Sequence, residues 1–165
     1  MTRPTHILSI DPGLSGALAL LNCQTKAIEF IADMPVTSGK VDPVKLADLV
    51  DFCKTRGSIH AAVELISALP RQTGGSNFAI SAGVIHGVLG ALRVPYSLIP
   101  AAQWKPAVGL RRLPNESQSE NKSRARALAT KLWPERAADF AKVKFDGRAE
   151  ACLISRWFAT KNGWL

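Results

Sequence analysis

Two apolar runs joined by a glycine turn make up residues 6–21, HILSIDPGLSGALALL, and this stretch decides the fold. The runs His6–Ile10 and Ala17–Leu21 predict two strands, and the PGLSG segment after Asp11 predicts a tight turn between them. Asp11 stands where the first strand ends, although aspartate is a poor strand former that is costly to bury. Two explanations are open: Asp11 begins the Pro-Gly turn, or its carboxylate binds a divalent cation.

The composition is that of a globular domain with a basic surface. The 165 residues are 47% hydrophobic and 21% charged, which predicts a single domain over residues 1–165 and argues against disorder. A net charge of +8 favours a polyanionic partner, nucleic acid first, although a generic basic surface is the alternative. No apolar stretch is long enough to span a bilayer, and three scattered cysteines without a signal peptide predict a cytoplasmic protein with no membrane association.

Periodicity and turn residues predict an α/β fold with a mixed five-stranded sheet flanked by helices. The predicted strands are His6–Ile10, Ala17–Leu21, Ala27–Ala32, Ile59–Leu65 and Tyr96–Ile99. The predicted helices are Asp42–Thr55, Asn77–Leu92, Ser117–Trp133 and one from about Asp146 to Thr160. Residues 67–76 and the basic, proline-containing stretch Pro106–Glu116 are predicted loops.

Three further acids are poorly explained by structure alone. Glu64 lies near the end of an apolar strand that is expected beside the first strand, where burial of its charge would be costly. Asp146 and Glu150 stand four residues apart on one helical face, where like charges repel. An edge glutamate paired with a lysine is the alternative for Glu64, and a helix cap is the alternative for Asp146.

Four carboxylates at one edge of a sheet suit hard divalent ions that prefer oxygen ligands, Mg²⁺ first. Two such ions held about 4 Å apart activate a water molecule and stabilise a departing oxygen. On a basic protein, this combination most simply indicates phosphodiester hydrolysis.

Basic side chains are concentrated around the predicted loop Pro106–Glu116 and the capped helix that follows it. Basic side chains that contact phosphates position a nucleic acid without reading its sequence. The ordinary alternative is that these residues form a solvated charged face of the helix. Basic residues near a helix N-terminus oppose the helix dipole, so stability alone would not select them. The residues predicted to bind nucleic acid are Arg71, Lys105, Arg111, Arg112, Lys122, Arg124 and Arg126.

Small residues recur every four positions, at Gly83, Gly87 and Ala91, along the helix predicted over Asn77–Leu92. This spacing permits close approach of another helix, so the face is either a dimer interface or a contact with the protein's own sheet.

The chain resembles the RuvC-type Holliday-junction resolvases of the ribonuclease H-like nuclease superfamily. The resemblance rests on the order of the elements and on the segments Ile10–Gly13, Val63–Glu64 and Asp146–Ala151, and it covers nearly the whole chain. It also includes Gly83–Val88 and Gln103–Lys105, as well as a lysine at the start of the penultimate helix, Lys122.

The resemblance implies a homodimeric, metal-dependent endonuclease that resolves four-way DNA junctions by paired symmetric cuts in recombination and repair. Two Mg²⁺ ions, with Mn²⁺ as a substitute, would be held by Asp11, Glu64, Asp146 and Glu150, and Lys105 and Lys122 would act near the scissile phosphate. The small-residue helix would form the two-fold contact. A nuclease for other branched DNA or for RNA, and a catalytically weak junction-binding protein, are the alternatives. No helicase-type partner is identified.

The sequence departs from the best-known members in two respects. Their terminal acids are two aspartates three residues apart, whereas Asp146 and Glu150 are four apart. The position of a phenylalanine that in those members wedges into the junction corresponds to Ser67; either Leu69 or Phe78 substitutes for it, or the wedge is absent. The Asp-Gly-Arg-Ala-Glu variant is more similar to phage-type members, which implies a bacterial cell or a phage-infected host.

Overall fold

The computed structural model describes residues 3–65 and 75–165, which form strands and helices with the following bounds. The strands are β1 (His6–Asp11), β2 (Ala17–Asn22), β3 (Ile28–Asp33), β4 (Val36–Thr37), β5 (Lys40–Val41), β6 (Ile59–Leu65) and β7 (Tyr96–Pro100). The helices are α1 (Pro43–Lys54), α2 (Gly75–Ala91), α3 (Ala101–Ala107), α4 (Gln118–Leu132), α5 (Ala137–Phe140) and α6 (Asp146–Lys161). Short 3₁₀ turns at Pro134–Arg136 and Val143–Phe145 join α4, α5 and α6.

The main sheet has five strands in the order β3-β2-β1-β6-β7, which confirms the predicted mixed sheet. Strands β1, β2 and β3 are antiparallel neighbours, whereas β1, β6 and β7 run parallel to one another. Ile10 lies opposite Val63 in the parallel pair. Asp11 and Glu64 each follow one residue later, so both acids stand at the carboxyl ends of adjacent strands.

Strand β1 is buried on both faces because helices cover both sides of the sheet. Ile7 belongs to the core formed with α4 and α6, whereas Leu8 and Ile10 belong to the core formed with α1 and α2. The Ser9 hydroxyl donates to the carbonyl oxygen of Ala151 on α6 at 2.6 Å, which ties this helix to the central strand. Over residues 3–65 and 75–165, no helix is long and apolar enough to cross a membrane.

Two of the predicted helix starts are confirmed in atomic detail. The Asp42 carboxylate accepts from the backbone N–H groups of Val44 and Lys45, with Pro43 as the first residue of α1. The Ser117 hydroxyl and the Glu120 carboxylate form a reciprocal capping box at the start of α4.

The predicted loop over Pro106–Glu116 is wrong at its beginning, because Pro106 and Ala107 are the last residues of α3. This helix was not predicted, and neither was the β4–β5 hairpin. Pro106 removes one hydrogen-bond donor near the helix end, and α3 stops one residue later. The fully buried Trp104 anchors the helix to the core, so tertiary packing stabilises a segment without a side-chain cap.

Candidate active site

Asp11 occupies the end of β1, beside a turn that is closed by the backbone. The N–H of Gly13 donates to the carbonyl oxygen of Asp11 at 3.1 Å, and the N–H of Gly16 donates to that of Gly13 at 3.0 Å. A Cβ at Gly16 would collide with the Asp11 carbonyl oxygen, so the turn requires glycine there. Because backbone groups close the turn, the Asp11 carboxylate is available for another role.

Glu64 lies on β6 and is held by a buried tryptophan. The indole Nε1 of Trp104 donates to Glu64 Oε1 at 2.9 Å, across 40 residues of sequence. Trp104 is fully buried, as expected for a core residue, and its N–H finds a partner as buried indoles usually do. The alternative of an edge glutamate paired with a lysine is therefore wrong, because β6 lies between β1 and β7 and the hydrogen-bond donor to Glu64 is Trp104.

Asp146 and Glu150 lie one turn apart at the start of α6. Asp146 is the first residue of the helix rather than its cap, which is Phe145, and its carboxylate pairs with the Lys122 ammonium. The capping alternative is therefore wrong. Glu150 is 8% exposed, and its two oxygens accept from Lys105 Nζ at 3.0 and 2.9 Å.

Gly147 brings these acids close to Asp11. A Cβ at this position would lie 2.6 Å from the carbonyl oxygen of Ser15 and 3.1 Å from Asp11 Oδ2. Helix α6 therefore packs directly against the turn after β1, which only glycine permits. Arg148 fixes the same end of the helix, since it donates to both carboxylate oxygens of Asp33 at 2.6 and 2.7 Å.

A cleft of about 750 Å³ opens over this cluster. Its charged lining residues are Asp11, Lys105, Lys122, Asp146 and Glu150. Glu64 is coupled to the same group, because its charge acts on the carboxyl of Asp11 and on the ammonium of Lys105. Six residues predicted from the sequence thus come together at one edge of the sheet.

The electrostatics of the cluster reflect several acids in a poorly solvated space. Burial raises the pKa of Asp11 well above its ordinary value, and the charges of Glu150 and Glu64 raise it further. Burial also raises the pKa of Glu64, against the lowering effects of the Trp104 hydrogen bond and the Lys105 charge. Burial lowers the pKa of Lys105, but the charge and hydrogen bond of Glu150 and the charges of Glu64 and Asp11 together raise it, so the net shift is upward. A site of this kind favours added positive charge.

The chemistry of the donors fits hard divalent cations, since all four acids offer carboxylate oxygens. The ammonium groups of Lys105 and Lys122 form ion pairs with the carboxylates of Glu150 and Asp146, respectively. Among the residues that the structure describes, no three His, Cys, Asp or Glu side chains are arranged to hold a metal ion. A cation that used Glu150 or Asp146 would therefore displace a lysine. The three cysteines, Cys23, Cys53 and Cys152, are buried and form no disulfide.

The other basic residues predicted to bind nucleic acid divide into two groups. Arg111 and Arg112 are exposed on the loop between α3 and α4, where Arg112 Nε also donates to the carbonyl oxygen of Glu116 at 2.8 Å. Arg124 donates to the Glu116 carboxylate and to the carbonyl oxygen of Gly109, and Arg126 donates to that of Val143. These two arginines therefore also stabilise the local fold. Arg71 lies outside the described residues, as do Ser67, Leu69 and the side chain of Phe78.

The small-residue face of α2 points away from the sheet. Ile85 and Leu89 are fully buried against the sheet, whereas Gly83, Gly87 and Ala91 are exposed. Within the described part of the chain, nothing lies within 4 Å of a Cβ built at either glycine. The alternative that this face packs on the protein's own sheet is therefore wrong.

Sequence reasoning missed two residues that shape the site. The isolated Gly147 inside a helical pattern is a known signal of close packing, and it directly follows a candidate ligand. For Trp104, the signal is that a buried indole N–H needs an acceptor, which in the structure is Glu64.

Comparison with known proteins extends the fold assignment. No protein-family model matches the sequence, and neither does any curated protein. A Thermus thermophilus RuvC structure is similar with a TM-score of 0.60 and 11% identity, over 95% of this chain and 96% of that chain. The structure of T. thermophilus RuvC in complex with a Holliday junction substrate has a TM-score of 0.63 and 12% identity, over 94% and 96%. The chain therefore has the α/β fold of RuvC, as the resemblance in sequence predicted.

Proposed function

We propose that this protein is a metal-dependent endonuclease that cleaves four-way DNA junctions. The observation that supports the proposal best is the meeting of four carboxylates and two lysines, from five separate elements, at one sheet edge of a RuvC-like fold. A pure binding protein would gain nothing from burying acids where phosphates approach. The net charge of +8 supports a nucleic-acid substrate, and a RuvC structure with a Holliday junction substrate supports the choice of a four-way junction.

The proposed chemistry assigns separate tasks to the acids and the lysines. Asp11, Glu64, Asp146 and Glu150 would hold Mg²⁺, which when bound supplies an activated water and neutralises charge on the phosphate. Lys105 and Lys122 would be released from their carboxylate partners and would then pair with the phosphate and its developing negative charge. Trp104 keeps the Glu64 carboxylate in one orientation by its hydrogen bond.

The test is side-by-side digestion of a synthetic four-way junction, a linear duplex and an RNA–DNA hybrid, with Mg²⁺, Mn²⁺ or a chelator. We expect paired cuts in the junction that require metal, and we expect Glu64→Gln and Glu150→Gln to bind the junction without cutting it. Glu135→Gln is the matched control, since Glu135 is an exposed carboxylate outside the cleft. If the protein cuts the RNA–DNA hybrid in preference to the junction, the proposed substrate is wrong. Near-normal cutting by Glu64→Gln would refute the proposed metal-dependent mechanism.

We also propose that two copies associate through the exposed face of α2. Ile80 on α2 is 46% exposed, and Tyr96, which stacks on His86 of the same helix, is 38% exposed, so apolar surface accompanies the small residues of α2. Two symmetric sites would suit a substrate with two equivalent strands. Gly87→Leu should produce a folded monomer in sedimentation that no longer makes paired cuts. A dimer that still cuts symmetrically would place the interface elsewhere.

A further inference from the structure

The loop between α3 and α4, residues 110–116, is built more firmly than an ordinary surface connection. The Glu116 carboxylate is the centre of the loop: its side chain is 5% exposed, and it accepts from Arg124 at 2.8 Å and from the N–H of Leu113 at 2.9 Å. Asn121 donates to the same carboxylate at 3.2 Å and to the carbonyl oxygen of Leu110 at 3.1 Å. The hydrogen bond from Arg124, followed by that from Leu113, holds the pKa of Glu116 below its ordinary value.

Both ends of this loop are fixed to elements that carry active-site lysines. At its start, the N–H of Leu110 donates to the carbonyl oxygen of Lys105 at 2.7 Å. At its end, Ser117 caps α4, whose residues Gln118 and Lys122 line the active-site cleft. The loop therefore has a defined position relative to the cleft.

The apex of the loop carries an apolar side chain between basic neighbours. The Leu113 side chain is 54% exposed, whereas its backbone makes two hydrogen bonds with Glu116. The Leu113 N–H donates to the Glu116 carboxylate, and the Glu116 N–H donates to the Leu113 carbonyl oxygen at 3.1 Å. A lone exposed leucine is ordinary in itself. This one differs because Arg111 and Arg112, both exposed, precede it on a loop that is anchored at both ends beside the cleft.

We propose that Leu113 is a substrate contact that inserts against an unstacked base step of the nucleic acid, while Arg111 and Arg112 bind the adjacent phosphates. Apolar side chains that enter between base steps hold them partly unstacked, and flanking cations supply the phosphate contacts that position them. A fully paired linear duplex resists this contact because its bases are stacked, whereas a branch point offers steps that are already disturbed. Leu113 thus favours branched over linear DNA. This inference rests on the proposed function and names one source of its selectivity.

The experiment measures binding to a four-way junction with 2-aminopurine beside the branch point, in a chelator so that cleavage does not interfere. We expect the wild-type protein to raise the probe's fluorescence. Leu113→Ala should lose that rise and about tenfold in junction affinity, because the buried leucine contact is removed, with duplex affinity unchanged. Leu113→Phe should retain both the rise in fluorescence and the junction affinity. Val44→Ala is the matched control, because Val44 is a 69% exposed apolar residue on α1.

Salt dependence separates the apolar contact from the phosphate contacts. Leu113→Ala should leave the slope of affinity against salt unchanged, whereas replacing Arg111 and Arg112 by alanine should reduce it by about 0.9 for each phosphate that is no longer neutralised. A wild-type junction complex without a fluorescence change, or a Leu113→Ala protein with unaltered junction preference, overturns the inference alone. If the wild-type protein neither binds nor cuts any nucleic acid, the proposed function fails with it.

Discussion

Replacement of Gly147 by alanine should destabilise the protein and move the acids of the site apart. The added Cβ would lie 2.6 Å from the Ser15 carbonyl oxygen and 3.0 Å from Gly16 Cα, so α6 or the turn must shift by about 0.8 Å to reach an ordinary contact near 3.4 Å. Overpacking of this kind costs about 1–3 kcal/mol, and the better helix propensity of alanine offsets at most about 1 kcal/mol. The expected net loss is about 1–2 kcal/mol.

Catalysis should suffer more than stability does. Asp11 lies on the turn side of the contact, and Asp146 and Glu150 lie on the helix side, so the shift separates residues that must act together. A misplacement of about 1 Å can cost about 100-fold in rate. We therefore expect a thermal midpoint lower by about 3–6 °C together with a junction cleavage rate lower by one to two orders of magnitude.

Thermal unfolding and single-turnover junction cleavage, measured on the same preparation, test this reasoning. Gly90→Ala is the control for stability, because Gly90 is also a helical glycine and no described atom would lie within 4 Å of a Cβ at that position. The free energy of unfolding of Gly90→Ala should be higher than that of wild type by up to about 1 kcal/mol, because alanine has the better helix propensity. If Gly147→Ala were as stable as the control and cut at the wild-type rate, the close packing of α6 on the turn would not position the site.

Three further predictions concern the charges of the site. Burial raises the pKa of Asp11, so ionisation of this carboxyl destabilises the metal-free protein as the pH rises above the ordinary value of 3.8. In a chelator, Asp11→Asn should have a higher melting temperature than wild type near pH 7, and the difference should close toward pH 4. A difference in melting temperature that is the same at both pH values would contradict this. Trp104→Phe removes the hydrogen bond that lowers the pKa of Glu64, so the acidic limb of the cleavage–pH profile should move to higher pH. The same change should lower the free energy of unfolding by about 1 kcal/mol. An acidic limb at the wild-type pH would argue against a role for Glu64. Lys105→Ala should slow single-turnover cleavage by about 100-fold and change junction affinity by less than threefold, and an equal loss of both would make Lys105 a binding residue only.

The parts of the fold that the sequence predicts well depend on local signals. Helices α1 and α4 begin where Asp42 and Ser117 bond to backbone groups two or three residues ahead, so a short pattern is sufficient. Helix α3 has no such signal: Pro100 at its cap makes no side-chain bond and Pro106 lies near its end. Its stability depends on the burial of Trp104 among residues distant in sequence, which no local pattern records.

The same distinction holds for the site. Glu64 and Glu150 are predictable because a carboxylate within an apolar segment requires a partner wherever the chain folds. Their actual partners are not predictable from spacing, since Trp104 is 40 residues from Glu64 and Lys105 is 45 residues from Glu150. The ion pairs of the two lysines follow from the packing of α3 and α4 against α6, which is a property of the assembled molecule.

Helix α6 closes the site last during synthesis. Asp11 and Glu64 emerge from the ribosome early, but Asp146 and Glu150 come at the start of a helix that ends at Lys161 and packs across β1 and β2. The ribosome also covers the most recently made residues, so a nascent chain must extend beyond α6 before the four acids meet. Until α6 has emerged, the nascent protein therefore lacks the complete carboxylate cluster with which we propose it cuts phosphodiesters.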